Sequence, residues 1–584
     1  MLRIGRLMPG AAAVGMLLTG CQSWFVADAD REVRRLIEQR QRAALGETHS
    51  ADVGAEDGRI GSSEDMYSFV PHPADPDVPE AFRKPVVTSQ PSSQPVPDSQ
   101  PAPERKVYTL PDAVAYAMGH AREFQFAKED LYLSALDLTL ERHLWTPQFV
   151  AEVSAGLSQS PSTKTIGQGD NARTIPDFDR AMTAVAQAGV TQRLPMGGEV
   201  TAQMINTLVR DLHSHATTGE TGQMILSADL PLLRGAGRVA LESRYQAERD
   251  LIYAVRNFEQ FRREYLVTIA TDYFNLLSIK SEIENARASE QALRDDAQRS
   301  QALADKGQAL QVEADRAQVE YLIAKNDAIN AEASYDTALD RFKITLGMPT
   351  DTPIDVVEPE LELVAPQIPE AEAIEVAMQY RLDLLNQLDR VDDARRQVLV
   401  ARNNLLPAFN LRGSMSADSD PDRKNSMIYS NENATWRGEA VMEIPVDRKA
   451  ERNDYRSSLI ALRRAERQHE LGRDQVRLDV RNALRQLEQA RVSMEIQQRN
   501  IDINAFRKEQ ARDLFSVGRL SSNRDVVEAE NAYRTAKNNF ASAQSDYRTA
   551  VLEFLRDTGT LRVDDEGKLV RFESPATVSE GSRP

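Results

Sequence analysis

Asp525 and Glu528 stand one helical turn apart, a few residues behind Gly518, where a helix must begin. Carboxylates at that end of a helix are favoured by its dipole. Two of them at one level make a negative patch that would draw cations; they also read simply as two solvated side chains. The matching stretch behind Gly307 puts Glu313 where Asp525 stands, but Arg316 where Glu528 stands, with Asp315 the nearest other carboxylate. His213 and His215 offer two imidazoles in a polar stretch. No cysteine or further ligand lies near them, so a solvated loop is the simpler reading and no metal is expected. Tyr321, Tyr335, Tyr533 and Tyr547 fall at helical spacing and read as packing residues rather than a ligand box. There is no phosphate-binding Walker loop, no HExxH and no G-x-S-x-G. The run Arg234-Gly235-Ala236-Gly237 lacks a lysine and reads as a turn. No catalytic constellation emerges, so neither an enzyme nor a cofactor is expected.

The elements that must carry these side chains repeat. Ala529, Tyr533, Ala536, Phe540, Ala543, Tyr547, Ala550 and Phe554 alternate steps of four and three, a seam of coiled-coil period. The same seam appears as Ala317, Tyr321, Ala324, Ala328, Ala331, Tyr335, Ala338 and Phe342. Only Ala328 and Phe540 differ in type, and Gly347 matches Gly559. A repeat with a long helix in its unit follows. Over the 584 residues, 27% are charged, 41% hydrophobic and only 6% aromatic. That suits long helices with thin, alanine-lined seams better than a thick globular core. A net charge of -18 argues against a nucleic-acid partner.

The only cysteine is Cys21. Before it come Arg3, Arg6, a short apolar run from Ala11 to Leu18, and Leu18-Thr19-Gly20. This is the layout of an export signal too short to stay as a span. It resembles a bacterial lipobox, with cleavage before Cys21 and acylation, palmitate included, of that residue. Gln22 in place of Asp favours sorting to the outer membrane. Multiple acyl chains anchor stably.

Residues 28–45 form a charged helix. Residues 47–105 are rich in proline and serine and read as an extended tether. Leu110–His120 is a short helix, and a second runs to about Trp145, an aromatic suited to a membrane interface or equally to simple packing. Pro147 ends that helix. From Phe149 to Leu157 the period becomes two, as in a strand. Residues 160–180 read as a polar loop. Ala184–Leu194, Glu199–Val209 and Gln223–Leu230 are further strands. Helix runs from about Val239 to Lys306, breaks at Gly307, and returns to Leu346. Residues 348–368, with four prolines, read as a linker. The second copy opens at Glu370. Pro407 and Phe409 repeat Pro147 and Phe149; strands near 408–416 and 434–444 follow, and a helix from about Arg448 to Ser516 breaks at Gly518. Residues after 560 read as a loose tail.

In this order the features resemble the outer membrane efflux protein family, the TolC-like exit ducts. The resemblance rests on the lipobox at Cys21, the twofold repeat, the Pro147 and Pro407 junctions, the turn from Pro231 to Gly237, and hairpin tips at Gly307 and Gly518. It covers about 107–560. It divides the chain into a signal (1–20), an anchored tether (21–106), a first repeat (107–348), a linker (349–368), a second repeat (369–560) and a tail (561–584). It implies a mostly α fold with a membrane β part: two tandem repeats of short helices, a β-hairpin and a very long helical hairpin. It also implies a homotrimer sharing one β-barrel and one α-barrel, set in the outer membrane with a helical extension into the periplasm. Its partners would be outer membrane lipid, a periplasmic adaptor and an inner-membrane transporter. The function implied is an exit duct for a tripartite efflux pump or type I secretion system. The alternative is a lipid-anchored periplasmic scaffold or adaptor with no pore. Asp525, Glu528, Glu313 and Asp315 become candidates for a periplasmic gate. Gly307, Gln308, Ala309 and Leu310, with Gly518, Arg519, Leu520 and Ser521, become candidate adaptor contacts. The family has two strands per repeat, whereas about four strand-like segments lie between 148 and 231. Either one pair is an extra surface hairpin, or strands bend and are split by counting.

Overall fold

The computed structural model describes residues 22–46, 48, 105–166, 173–213, 219–308, 310–358, 365–419, 429–516, 524–564 and 569–570. The first series of elements is α1 (Gln22–Leu45), β1 (Lys106–Tyr108), α2 (Leu110–His120) and α3 (Arg122–His143). Strands β2 (Gln148–Ile166), β3 (Arg173–Arg193), β4 (Glu199–His213) and β5 (Gly219–Pro231) follow, then a hairpin of α4 (Glu242–Asp305) and α5 (Gln311–Leu346). After β6 (Ile354–Val356) the second series is α6 (Glu370–Tyr380), α7 (Leu382–Asn404), β7 (Ala408–Ser419), β8 (Tyr429–Glu443), α8 (Lys449–Ser516) and α9 (Arg524–Asp557). Two short strands, β9 (Arg562–Val563) and β10 (Leu569–Val570), pair antiparallel beyond it.

Local chemistry explains the punctuation. Thr109 caps α2 through a capping box, its hydroxyl accepting from the Asp112 amide and the Asp112 carboxylate accepting from the Thr109 amide. The alanine seam of each repeat is buried as its spacing requires: Ala317, Ala324, Ala331 and Phe342 on α5, Ala529, Ala536, Ala543 and Phe554 on α9. Each of these helices ends in a left-handed glycine pressed against the junction of the short helices. A Cβ on Gly347 would lie 2.4 Å from the His120 carbonyl, and one on Gly559 2.9 Å from the Tyr380 carbonyl. The two repeats therefore share a tertiary contact as well as a pattern.

The long helices form one wall in the order α5, α4, α9, α8, because α4 packs on α5, α9 on α4, and α8 on α9. The main core gathers on α4, where Phe124 meets Phe258, Phe261 and Tyr265, and Tyr273 meets Phe274 and Phe342. A charged network binds the repeats together. Arg249 reaches Asp389 at 2.8 Å and Asp393 at 3.4 Å, Arg256 reaches Asp389 at 2.6 Å, and Arg396 reaches Glu242 at 3.0 Å.

Several expectations are corrected. Residues 160–166 and 173–180, expected within a polar loop, are strand: β2 and β3 stay paired out to Ile166 and Arg173. Serines, threonines and prolines there gave no alternation to read. The four strands of the first repeat neither fold aside nor split a bent pair; all join β7 and β8 in one antiparallel sheet, ordered β2-β3-β4-β5-β7-β8. The 348–368 linker contains β6, which pairs parallel with β1. Leu561 and Val563, in the expected tail, are buried against the core, and the Arg262 guanidinium donates to the Val563 carbonyl.

Candidate functional site: the sheet faces and the hairpin tips

The sheet has two chemically distinct faces, and register shows it row by row. Phe149, Val190, Ala202, Leu226, Met415 and Trp436 are successive partners across all six strands. One residue along, Gln148, Thr191, Thr201, Ser227, Ser414 and Arg437 are successive partners. Side chains alternate faces along a strand, so the first row lies on one face and the second on the other. The apolar face is open: Phe149, Val153 and Trp436 are each 82% exposed. The polar face carries hydrogen-bonded ladders. Gln187 donates to Glu152 at 2.7 Å, and Asn410 and Arg412 both donate to Asp229 at 2.9 Å. Among the described residues no helix is long and apolar enough to cross a membrane. An apolar sheet face backed by a polar one is the pattern of a barrel wall between lipid and water.

The helical wall has an unmatched apolar stripe at each edge. On α8, Leu471 and Leu478, then Ile496 and Ile503, recur at seven-residue steps and are about half exposed. On α5, at the other edge, Val312, Val319, Leu322 and Ile323 are exposed. These are coiled-coil seams without partners in the single chain.

At the far end of the hairpins the structure separates the expected gate residues. Asp525 is exposed on the first turn of α9. Glu528 lines a groove of about 390 Å³ together with Glu320, Arg316 and Arg524, so both signs of charge meet there. Asp315 is exposed and accepts from its neighbour Gln311 at 2.9 Å; Glu313 is half-buried in the first turn of α5. The groove thus brings Glu528 together with the very arginine that occupies its place in the first repeat. Of the expected tip contacts, Gly307 closes the turn after α4 with φ 69°, Gln308 donates its amide to the Leu303 carbonyl at 2.9 Å, and Leu310 is exposed. Ala309, Gly518, Arg519, Leu520 and Ser521 lie outside the described residues, as do Cys21, His215 and the side chain of His213.

Sequence reasoning missed Glu530. It is buried on α9, with Arg512 at 2.9 Å and Lys508 at 3.4 Å on α8. A signal was present: Glu530 falls four and three residues beyond the buried Val526 and Val527, on the apolar face. Further up the wall, Asp272 and Asp546 line a polar groove of about 540 Å³ with Glu553. Burial pushes both aspartates above the usual carboxylate range. Trp145, at the foot of β2, is half-buried and donates to Glu141 at 3.4 Å.

Residues 373–560 match the model of the outer membrane efflux protein family. No curated protein matches the chain. Among solved structures, the Campylobacter jejuni CmeC outer membrane channel is 14% identical with a TM-score of 0.57, over 81% of this chain and 88% of that one. The Vibrio cholerae outer membrane protein VceC is 13% identical with a TM-score of 0.57, over 77% and 96%. The Neisseria gonorrhoeae MtrE outer membrane channel, in its open state, is 15% identical with a TM-score of 0.56, over 77% and 88%. The chain shares the fold of these channels, helical walls and sheet together.

Proposed function

We propose that this chain, which carries an outer membrane efflux protein domain at residues 373–560, is a homotrimeric outer membrane duct. It conducts solutes from the periplasm to the exterior for an efflux pump or type I secretion system, with an inner-membrane transporter supplying the energy and a periplasmic adaptor meeting the hairpin tips at 307–310 and 518–521. The observation that carries this reading is the two-faced sheet. A periplasmic scaffold has no use for an apolar face that runs across six strands and is backed by polar ladders. Lipid demands that face, and it also demands that no strand edge stay open, since an unpaired backbone group in hydrocarbon costs several kcal/mol. Purified protein should migrate as a heat-sensitive trimer extracted from outer membranes, and should open conducting pores in a planar bilayer. A detergent-independent monomer without conductance would return the scaffold reading.

Acylation at Cys21 belongs to the same proposal and sets a condition. α1 packs parallel to α3, with Asp30 beside Tyr132 and Arg40 paired with Glu248 at 3.2 Å beside Arg142. Since α3 runs toward the sheet, α1 does too. Gln22 therefore lies about 27 Å further from the membrane end than Arg40, at 1.5 Å per residue. The first turns of α1 must release from the body when lipid chains hold residue 21. Intact mass should show the acyl chains, and Cys21→Ser should abolish them while leaving α1 docked.

A further inference from the structure

We propose that the barrel is closed by β2 of one copy pairing antiparallel with β8 of the next, so that three copies make a barrel of eighteen strands whose outer part is wider than its helical stem. The inference rests on the duct reading above and deepens it.

Six strands per copy is the first step. The sheet is antiparallel throughout, so β2 and β8, its two edges, run in opposite directions. An even count means that β8 of one copy meets β2 of the next antiparallel, with the apolar face outward on both. The contact is head-to-tail, and such contacts close into rings. Both edge strands present large apolar residues on the outer face: Phe149, Val153 and Leu157 on β2, Trp436 and Met442 on β8, all more than half exposed. The helical edges are placed for the same closure. β8 leads directly into α8, while α3, which leads into β2, packs on α4 next to α5. One neighbour therefore meets β8 and the α8 stripe together, and the other meets β2 and the α5 stripe.

The extra pair is β3 and β4, which have no long helix beneath them. Their turn, Pro195 to Gly198, is seated in the wall. Gly237 donates its amide to the Met196 carbonyl at 2.7 Å. A Cβ on Gly198, which has φ 83°, would lie 2.0 Å from the Asp229 carbonyl oxygen. The turn is thus locked onto the Pro231–Gly237 corner and cannot swing out as a surface hairpin without breaking that fit. Barrel diameter grows about linearly with strand number, so eighteen strands against twelve give a lumen about 1.5 times as wide. Through its middle the added sector is neutral. On the polar face, Thr183, Gln187 and Thr191 of β3 and Thr201, Gln203 and Thr207 of β4 supply hydroxyls and amides; Arg193 and Glu199 stand at the turn, and Asp211 takes the same face near the other end of β4. The helical wall keeps four long helices per copy. The barrel would therefore take solutes bulkier than the stem admits in its narrowest form, without adding fixed charge through its middle.

The test is a strand count and a sizing. The full trimer in lipid nanodiscs, imaged by electron cryomicroscopy, should show eighteen strands, with Val153 and Trp436 facing lipid on either side of the subunit boundary. Neutral polymers added from the exterior should enter the wild-type barrel up to a radius about 1.5 times that admitted by a Δ173–218 variant, which joins β2 to β5. Cysteines placed in β2 and β8 should cross-link between copies up to a covalent trimer. A conducting trimer with twelve strands and β3–β4 outside the wall would overturn this inference and leave the duct intact. Absence of any outer membrane trimer would overturn both. If the deletion variant fails to fold, the strand count and the cross-links in the undeleted chain decide.

Discussion

α4 and α8 are the same element of two repeats, yet they lead different lives. α4 buries residues on nearly all sides, among them Leu251, Tyr253, Val255, Ile269, Tyr273 and Leu276. α8 buries Val476, Val480, Ala483 and Leu487 along one stripe and leaves a second stripe in the open. The sequence period is similar; the position in the wall is not. α4 sits between α5 and α9, with α3, α7 and α1 laid over it, whereas α8 has α9 on one side, α7 and α6 laid over it, and no long helix on the other side within the single chain. A coiled-coil seam facing solvent is a cost the isolated subunit carries, and in the proposed trimer a neighbour's α5 stripe would remove it. On the duct proposal, the contrast means that the second hairpin is finished only by assembly.

The largest expected effect tests that lesson directly. Ile496→Glu with Ile503→Glu places charges in the open stripe of α8. If a neighbour covers the stripe, trimers should be lost on native gels, since burying an unpaired carboxylate costs several kcal/mol. An intact trimer with both substitutions would show that the stripe faces water and that the comparison with α4 has another cause.

A second contrast lies at the tips. The second hairpin is tied by buried Glu530 to Arg512 and Lys508, while the corresponding position of the first hairpin is Gln318. Glu530→Gln should loosen the α8–α9 tip by about 1–3 kcal/mol, because two cations lose the negative charge they share. Faster hydrogen exchange confined to residues 505–535 would register it. The converse change, Gln318→Glu, should leave the first hairpin's exchange unaltered. Equal effects in both hairpins would erase the asymmetry.

Much of this fold can be read from the sequence because its devices are periodic. Alanine and aromatic seams at 3.5-residue spacing, prolines at the helix-to-strand junctions, and matched glycines at Gly347 and Gly559 are all local signals. The short helices, both hairpins and the first half of β2 follow from them. What escaped is non-local or unpatterned. The arms of β2 and β3 are polar on both faces, so period two has no contrast to show. The β1–β6 pairing joins segments more than 200 residues apart by three residues each. Strand order, which decides whether a hairpin widens a wall or decorates it, depends on partners and not on alternation. At the tips the carboxylates could be named, but not the arginines that face Glu528, since helix spacing places residues on a face and not opposite one another.

A smaller change should come from Asp525→Ala with Glu528→Ala. Asp525 is exposed, and Glu528 shares its groove with Arg316 and Arg524. The double substitution should shift cation selectivity and modestly raise single-channel conductance, and Arg316→Ala should move selectivity the opposite way. Identical conductance and selectivity in all three proteins would remove these residues from the gate.

The smallest effect concerns the seam between the repeats. Asp355 on β6 is partly buried, which opposes its ionisation, but hydrogen bonds from Lys280 at 2.8 Å and Tyr335 at 2.7 Å outweigh that and hold its carboxyl below the ordinary 3.8. A carboxyl lowered in the folded state contributes stability that is present above its unfolded value and is lost as pH falls through the folded one. The β1–β6 clasp should therefore weaken only in acid below about pH 4, with its contribution complete at neutral pH. Asp355→Asn should lower the melting temperature slightly at pH 7 and leave it nearly unchanged at pH 3, measured against wild type. The second repeat has no such clasp among its described residues, so a variant that lost stability equally at both pH values would mean that packing of the β6 backbone, rather than the Lys280–Asp355–Tyr335 cluster, joins the two halves.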